Sequence, residues 1–225
     1  MSGRSIDIAQ LYQGRFSREE LQKKNEVWKV LCGSFFQKYV SEEQTVLDVG
    51  AGYCEFINHI RCAKKFAVDP NADAVRHAAP DVKVFAAPAT DLSFLPEASV
   101  DTVFMSNLLE HMRSKEDVLK VLAEARRVLK SGQRVMILQP NVRFLCREYW
   151  DFFDHHIPLS DRSLAEALQL AGFQIEKIIP RFLPYTTKSR LPRGPVWVKM
   201  YLGMPWAWRI FGKQTFVVAR KTCTL

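Results

Sequence analysis

Between residues 17 and 40 apolar positions recur near a 3.6-residue period, at Leu21, Val27, Trp28, Val30, Leu31, Phe35 and Phe36. That spacing predicts one amphipathic helix. The pattern then changes to short apolar runs. Thr45-Val46-Leu47-Asp48-Val49 is broken by a single carboxylate near its C-terminal end and predicts a buried strand. Gly50-Ala51-Gly52 follows as a tight turn, with a helix expected to start near Tyr53. Lys65 to Val68 predicts a second strand, closed by Asp69-Pro70. Further on, Val100 to Ser106 is strand-like, Glu124 to Lys130 reads as a helix ended by Gly132, and Gln133 to Gln139 as the next strand. Ser160 or Asp161 caps a helix over 161–171 with Glu166 in its middle. Strands then follow at Gln174 to Ile179 and Thr215 to Ala219. Strands alternating with helices up to residue 139 predict a parallel sheet, hence an α/β fold.

The chain has 225 residues, enough to bury the core of a single α/β domain. Its 48% hydrophobic and 25% charged residues are those of a soluble globular protein. No apolar run reaches the roughly 18 residues of a membrane span. The segment Met1 to Asp7 lacks the apolar core of a signal peptide. Cys32, Cys54, Cys62, Cys146 and Cys223 show no paired metal-ligand spacing, and their odd number points to free thiols in a reducing cytoplasm.

The net charge of +8 is concentrated at one end: residues 181–225 hold nine Lys or Arg and no Asp or Glu. Trp197, Trp206 and Trp208 lie there too, within about 30 residues (184–213) inserted between the last two strands. Val196 to Tyr201 and Pro205 to Phe211 read as two short helices. The insertion could cap the substrate pocket, rest on the anionic inner face of a membrane, or meet an acidic acceptor such as a phosphorylated or nucleotide-linked one. Nucleic acid is the weaker variant, because no RNA-binding module accompanies the basic segment.

Strand, carboxylate, glycine turn and helix together imply a nucleoside-bearing cofactor. A dinucleotide site wants Gly-x-Gly-x-x-Gly or Ala, but here Glu55 takes the third small position. Carboxylates at Asp48 and Glu55 disfavour a pyrophosphate and favour a cation. Asp69, at the tip of the second strand, is placed to bond a ribose diol.

Asp48-Val49-Gly50-Ala51-Gly52, Asp69-Pro70, Ala87 to Asp91, Ser99 to His111 and Glu124 to Pro140 occur in the order that resembles the class I S-adenosylmethionine (SAM) methyltransferases, over roughly residues 12–183. The resemblance implies a Rossmann-like sheet of seven strands, helices on both faces and an antiparallel last strand. It implies SAM as cofactor, becoming S-adenosylhomocysteine, held by Asp48, Gly50, Ala51, Gly52, Asp69, Pro70 and Asn107. Ala89, Thr90 and Asp91 would lie beside the adenine, although Pro88 stands where the family's acid is common. Tyr12 to Phe16 is a candidate flap over the cofactor, with Tyr12 and Arg15 as its contacts.

The acceptor should sit at the tips of the fourth and fifth strands. His155 or His156, oriented by Asp151 or Asp154, is the expected general base, with His111 as the further candidate. Two adjacent histidines of an extended segment cannot both face one pocket. Asn141, Arg143 and Tyr149 would line the acceptor. No metal is expected, the weaker reading being a divalent ion on Asp151, Asp154, His155 and His156. These residues suggest O-methylation of a small molecule or glycan, as in bacterial polysaccharide or specialised-metabolite synthesis. The alternatives are a non-catalytic SAM- or nucleotide-binding regulatory protein and an NAD-dependent oxidoreductase.

Overall fold

The computed structural model describes residues 18–185 and 194–222. The first helix, α1 (Arg18–Ser34), runs into a 3-10 turn (Phe36–Tyr39). Then come β1 (Thr45–Val49), α2 (Glu55–His59), β2 (Lys64–Val68), α3 (Ala74–His77), β3 (Val82–Phe85) and β4 (Val100–Ser106). The second half holds α4 (Lys115–Val128), β5 (Leu129–Pro140), α5 (Asp161–Leu170), β6 (Phe173–Ile179), α6 (Pro195–Leu202), α7 (Pro205–Phe211) and β7 (Gln214–Lys221). The strands form one seven-stranded sheet in the order β3-β2-β1-β4-β5-β7-β6. β7 is antiparallel to both its neighbours, and the other pairings are parallel. This is the Rossmann-like methyltransferase sheet that the sequence predicts.

Strand alternation sorts the core into two layers. Leu47, Val49, Val103, Met105, Val135, Ile137 and Val217 point to one face, where Val121, Leu122 and Ala125 of α4 and Leu164 and Leu168 of α5 cover them. Val46, Phe104, Met136, Leu138, Phe216 and Val218 point to the other. That second layer is aromatic: Phe104 stacks on Phe56 at 3.7 Å between ring centroids, and Phe35 meets Phe182 at 4.3 Å. α1 supplies Leu31 and Cys32 to the same layer, which explains its 3.6-residue period.

Two boundaries differ from the sequence expectation. The helix expected to end at Gly132 stops at Val128, because Leu129 is already extended and pairs with Val100. Gly132 takes its left-handed conformation (φ +73) inside β5, where the register shifts between Val100 and Thr102. The helix expected near Tyr53 starts at Glu55, since Cys54 itself adopts the left-handed region (φ 58). Among the described residues no helix is long and apolar enough to cross a membrane. The four described cysteines, Cys32, Cys54, Cys62 and Cys146, are free thiols.

Candidate active site

The sheet order reverses direction between β1 and β4, and in open α/β sheets the crevice outside the strands' carboxyl ends at that point is where ligands bind. Gly50, Ala51 and Gly52 leave β1 there. Gly50 has φ +72, and a Cβ on it would sit 2.7 Å from Leu108 Cδ1, so only glycine fits between β1 and the chain following β4. Gly52 has φ +53 as well, but a Cβ there would meet nothing within 4 Å. The turn is therefore packed on one side and open on the other.

The turn's N–H groups are engaged within the protein. Gly50 N and Ala51 N donate to Val68 O at 2.8 and 3.2 Å, and Gly52 N donates to Asp69 Oδ2 at 2.8 Å. Asp69 Oδ1 accepts from Asn71 N at 2.8 Å. The glycines thus allow close approach through their bare Cα atoms rather than by aiming donors at a ligand. Each Asp69 oxygen keeps acceptor capacity for a hydroxyl.

Three carboxylates converge on this turn. Asp48 is buried, and burial pushes its carboxyl well above the usual range, with Glu55 and Asp69 raising it further against a hydrogen bond from the Ile57 backbone. Burial also raises Asp69, opposed by the Asn71 and Gly52 N–H groups. The Cys54 thiol is pushed up to about 12 by burial and by the same three acids. Glu55, at the third position of the glycine motif, is buried and ion-paired with Lys24 of α1, Nζ to Oε1 2.9 Å. A pyrophosphate would meet repulsion here, whereas an ammonium and a sulfonium would relieve it. The residues present fit SAM.

The loop after β3 is pinned from α4. Glu124 Oε2 accepts Leu92 N at 2.8 Å, and Arg127 donates to Leu92 O at 2.7 Å and Leu95 O at 3.0 Å. Arg127 Nε also bonds Glu124 Oε1 at 2.8 Å. This pair was not anticipated; its signal was the Glu-x-x-Arg spacing on one helix face. Ala89 is buried and Thr90 half-buried, while Asp91 is exposed and turns Oδ1 back to Ser93 N at 3.0 Å. Pro70 and Asn107 follow β2 and β4, the latter with φ 49 and its N–H on Leu138 O at 2.9 Å. Tyr12 and Arg15 lie outside the described residues.

The second cluster joins the ends of β4 and β5. His156 N and Ile157 N both donate to Glu110 O, at 2.7 and 3.1 Å, stapling the loop after β5 onto the 3-10 turn Leu109–His111. His111 Nδ1 lies 2.9 Å from Asp154 O and 3.4 Å from Asp154 Oδ2. His155 is buried, its Nδ1 2.9 Å from Tyr149 O, and its ring centroid is 5.1 Å from that of His111. His156 is exposed. Glu110 is fully buried; Gln139 Nε2 donates to its Oε2 at 2.9 Å, and its Oε1 stands 4.0 Å from His111 Nε2. Burial raises the Glu110 carboxyl, partly offset by His111 and Gln139. Glu110, His111 and His155 each bring a metal-ligand type of atom within 4.8 Å of the others. Sequence reasoning passed over Glu110, although the Glu-His pair displayed it.

The residues expected around the acceptor are otherwise engaged. Tyr149 is buried and its hydroxyl donates to Ile157 O at 2.6 Å, which fixes the loop. Asn141 is buried, with Nδ2 donating to Asp161 Oδ1 at 2.8 Å and Pro180 O at 3.0 Å. Arg143 Nη1 pairs with Asp161 Oδ1 at 2.9 Å and is 38% exposed. Asn141 and Tyr149 thus spend these hydrogen bonds on the β5 end, and of the three Arg143 is the one whose side chain reaches solvent. Asp151, exposed, ends the 3-10 turn Glu148–Asp151.

Residues 47–137 match the family model described as a methyltransferase domain, from β1 into β5; the match takes in Asp48, Glu55, Asp69, Glu110 and His111 but not the 154–156 part of the second cluster. Those residues form a methyltransferase domain, and their motifs are similar to those of the class I SAM-dependent methyltransferases. The match and the carboxylate-lined crevice indicate S-adenosylmethionine as the cofactor. No curated protein matches it in sequence. Its fold is similar to that of a SAM-dependent methyltransferase from Archaeoglobus fulgidus, at TM-score 0.65 and 21% identity over 96% of this chain and 100% of that one. A SAM-dependent methyltransferase from Thermotoga maritima aligns at TM-score 0.67 and 18% identity, over 96% and 97%. A [4+2]-cyclase aligns at TM-score 0.62 and 17% identity, over 94% and 84%. Such likenesses show the fold alone, and the family match selects methyl transfer among its chemistries.

Proposed function

We propose that this methyltransferase acts on a hydroxyl of a small molecule or sugar, with His111 as general base. The observation that carries this reading is the hydrogen bonding of the Glu110–His111–Asp154–His155 cluster. A carbonyl oxygen can only accept, so the 2.9 Å contact with Asp154 O puts the His111 proton on Nδ1 and the lone pair on Nε2. The Asp154 carboxylate at 3.4 Å stabilises the imidazolium formed when that lone pair takes a proton. His111 is partly open to solvent, its side chain 21% exposed, whereas His155 is buried behind it. Of the two bases expected from sequence, exposed His156 donates its backbone N–H to Glu110 O, and His155 becomes the ring packed against His111.

SAM, when bound, supplies an electrophilic methyl group on sulfur. Asp48, Gly52 and Asp69 are the residues placed to hold it, leaving the β4 and β5 tips to the acceptor. The basic 181–225 segment favours an acceptor that is itself anionic, such as a phosphate-bearing or lipid-linked glycan. The test is mass spectrometry of metabolite and glycolipid extracts incubated with methyl-labelled SAM, looking for a labelled methyl ether. With an acceptor in hand, His111→Asn should lower kcat about 100-fold while leaving SAM affinity within about twofold. Full activity of that variant, or label found only on nitrogen or carbon, contradicts the reading.

A further inference from the structure

The connection between β6 and β7 leaves and re-enters the sheet beside the end of β5: Gln214 pairs with Pro140, and Asn141 N donates to Lys213 O at 2.9 Å. Its two helices therefore stand at the same sheet edge as the crevice. Their inner faces are fixed to the body. Tyr201 Oη donates to Phe182 O at 2.6 Å, Trp208 Nε1 to Tyr201 O at 2.8 Å and Arg181 Nε to Gly212 O at 2.9 Å, while Ala207 is buried. Their outer faces are apolar and open. Val196, Trp197 and Met200 of α6 are 70, 53 and 49% exposed, and Trp206, Ile210 and Phe211 of α7 are 62, 57 and 42% exposed. The i, i+1, i+4 and i, i+4, i+5 spacings put each triplet on one side of its helix. Trp150 and Phe153, 59 and 81% exposed, lie on the loop after β5, which the Lys213–Glu148 ion pair and the Phe152–Tyr185 ring contact join to this connection. Eight of the ten exposed large hydrophobic side chains among the described residues thus fall on these two neighbouring segments, so the clustering is not scatter.

We propose that α6 and α7 form a monotopic docking surface for an anionic phospholipid bilayer. Charge complementarity selects that occupant: exposed Lys199 and Arg209 stand among the exposed apolar side chains, and neither helix carries an acidic residue. Trp beside Lys and Arg suits the headgroup boundary, where indole is half-buried and the long cations reach phosphate. Neither helix, of eight and seven residues, can span a bilayer, so the protein lies on the surface with its crevice at the lipid side.

The test is sedimentation of the full chain with phosphatidylcholine vesicles and with vesicles containing phosphatidylglycerol, at low and high salt. Binding should be at least tenfold tighter with phosphatidylglycerol and weaken with salt. The triple variant Trp197→Ala, Trp206→Ala, Ile210→Ala should lose at least tenfold, whereas Leu170→Ala, an exposed position elsewhere, should not. The proposal is overturned if the wild type stays in the supernatant with anionic vesicles, or if the triple variant sediments like the wild type. It is equally overturned if light scattering shows a stable dimer that the triple variant abolishes, since a second copy would then cover the face. SAM binding measured on the same samples separates this result from the methyltransferase assignment: binding retained without sedimentation sinks the docking alone.

Discussion

At the residue scale, the cofactor crevice carries an electrostatic cost in the cofactor-free protein that a cation relieves. Asp48 and Asp69 have carboxyls raised by burial there, as has Glu110 in the neighbouring histidine cluster. A carboxyl held above its usual value keeps its proton in the folded chain over a pH range where the unfolded chain has already lost it. Stability is then greatest below the usual 3.8 of an aspartate and declines as pH rises through the elevated folded value. These three groups should accordingly pull Tm down from about pH 4 upward, against Glu124 and Glu148, whose carboxyls Arg127 and Lys213 hold below the usual range and which act in the opposite sense. Asp48→Asn, whose amide oxygen can still accept from Ile57 N, should raise the Tm of the empty protein near neutrality and flatten that decline, while weakening SAM at least tenfold. Parallel pH-Tm curves for variant and wild type would contradict the reading. Much of this was legible in the chain: a carboxylate at a strand end, two glycines and a second acid 17 residues on each name their own chemistry. What could not be read were the partners. That Gly52 N is taken by Asp69, or that the Tyr149 hydroxyl holds Ile157 rather than an acceptor, depends on which loops meet in three dimensions.

At the element scale, local signals located the helices and tertiary pairing moved their ends. Ser160 was one of two candidate caps, and it forms a full capping box: Ser163 N donates to Ser160 Oγ at 3.1 Å and Ser160 N to Ser163 Oγ at 2.9 Å. Asp161, the other candidate, is used by Asn141 and Arg143 to tie the same helix start to the end of β5. Ser160→Ala should cost about 1 kcal/mol in urea denaturation and leave SAM affinity unchanged. An unchanged midpoint would mean the Asp161 contacts fix the helix start by themselves. Gly132 shows the opposite case. As a sequence signal it ends a helix, but the pairing of Leu129 with Val100 starts β5 earlier and turns the glycine into an irregularity within the strand.

At the scale of the whole molecule, alternating burial across the sheet builds two core layers, and both acidic crevice and histidine cluster sit at one end of it. The basic, aromatic connection between β6 and β7 adds a surface to that same end, a feature the sequence displayed as composition without assigning it a side. Anything that binds only the folded chain stabilises it, by about 2.7 kcal/mol at 100 times its Kd, so SAM should raise Tm where NAD does not. The most direct measurement is calorimetric titration of SAM into the wild type, Gly52→Ala and Asp69→Ala. The open side of the turn at Gly52 and the lone pairs of Asp69 predict saturable one-to-one binding to the wild type and at least a tenfold loss in each variant, with near-UV spectra unchanged. Equal SAM affinity in all three proteins would contradict the placement of the cofactor at the β1–β4 crevice.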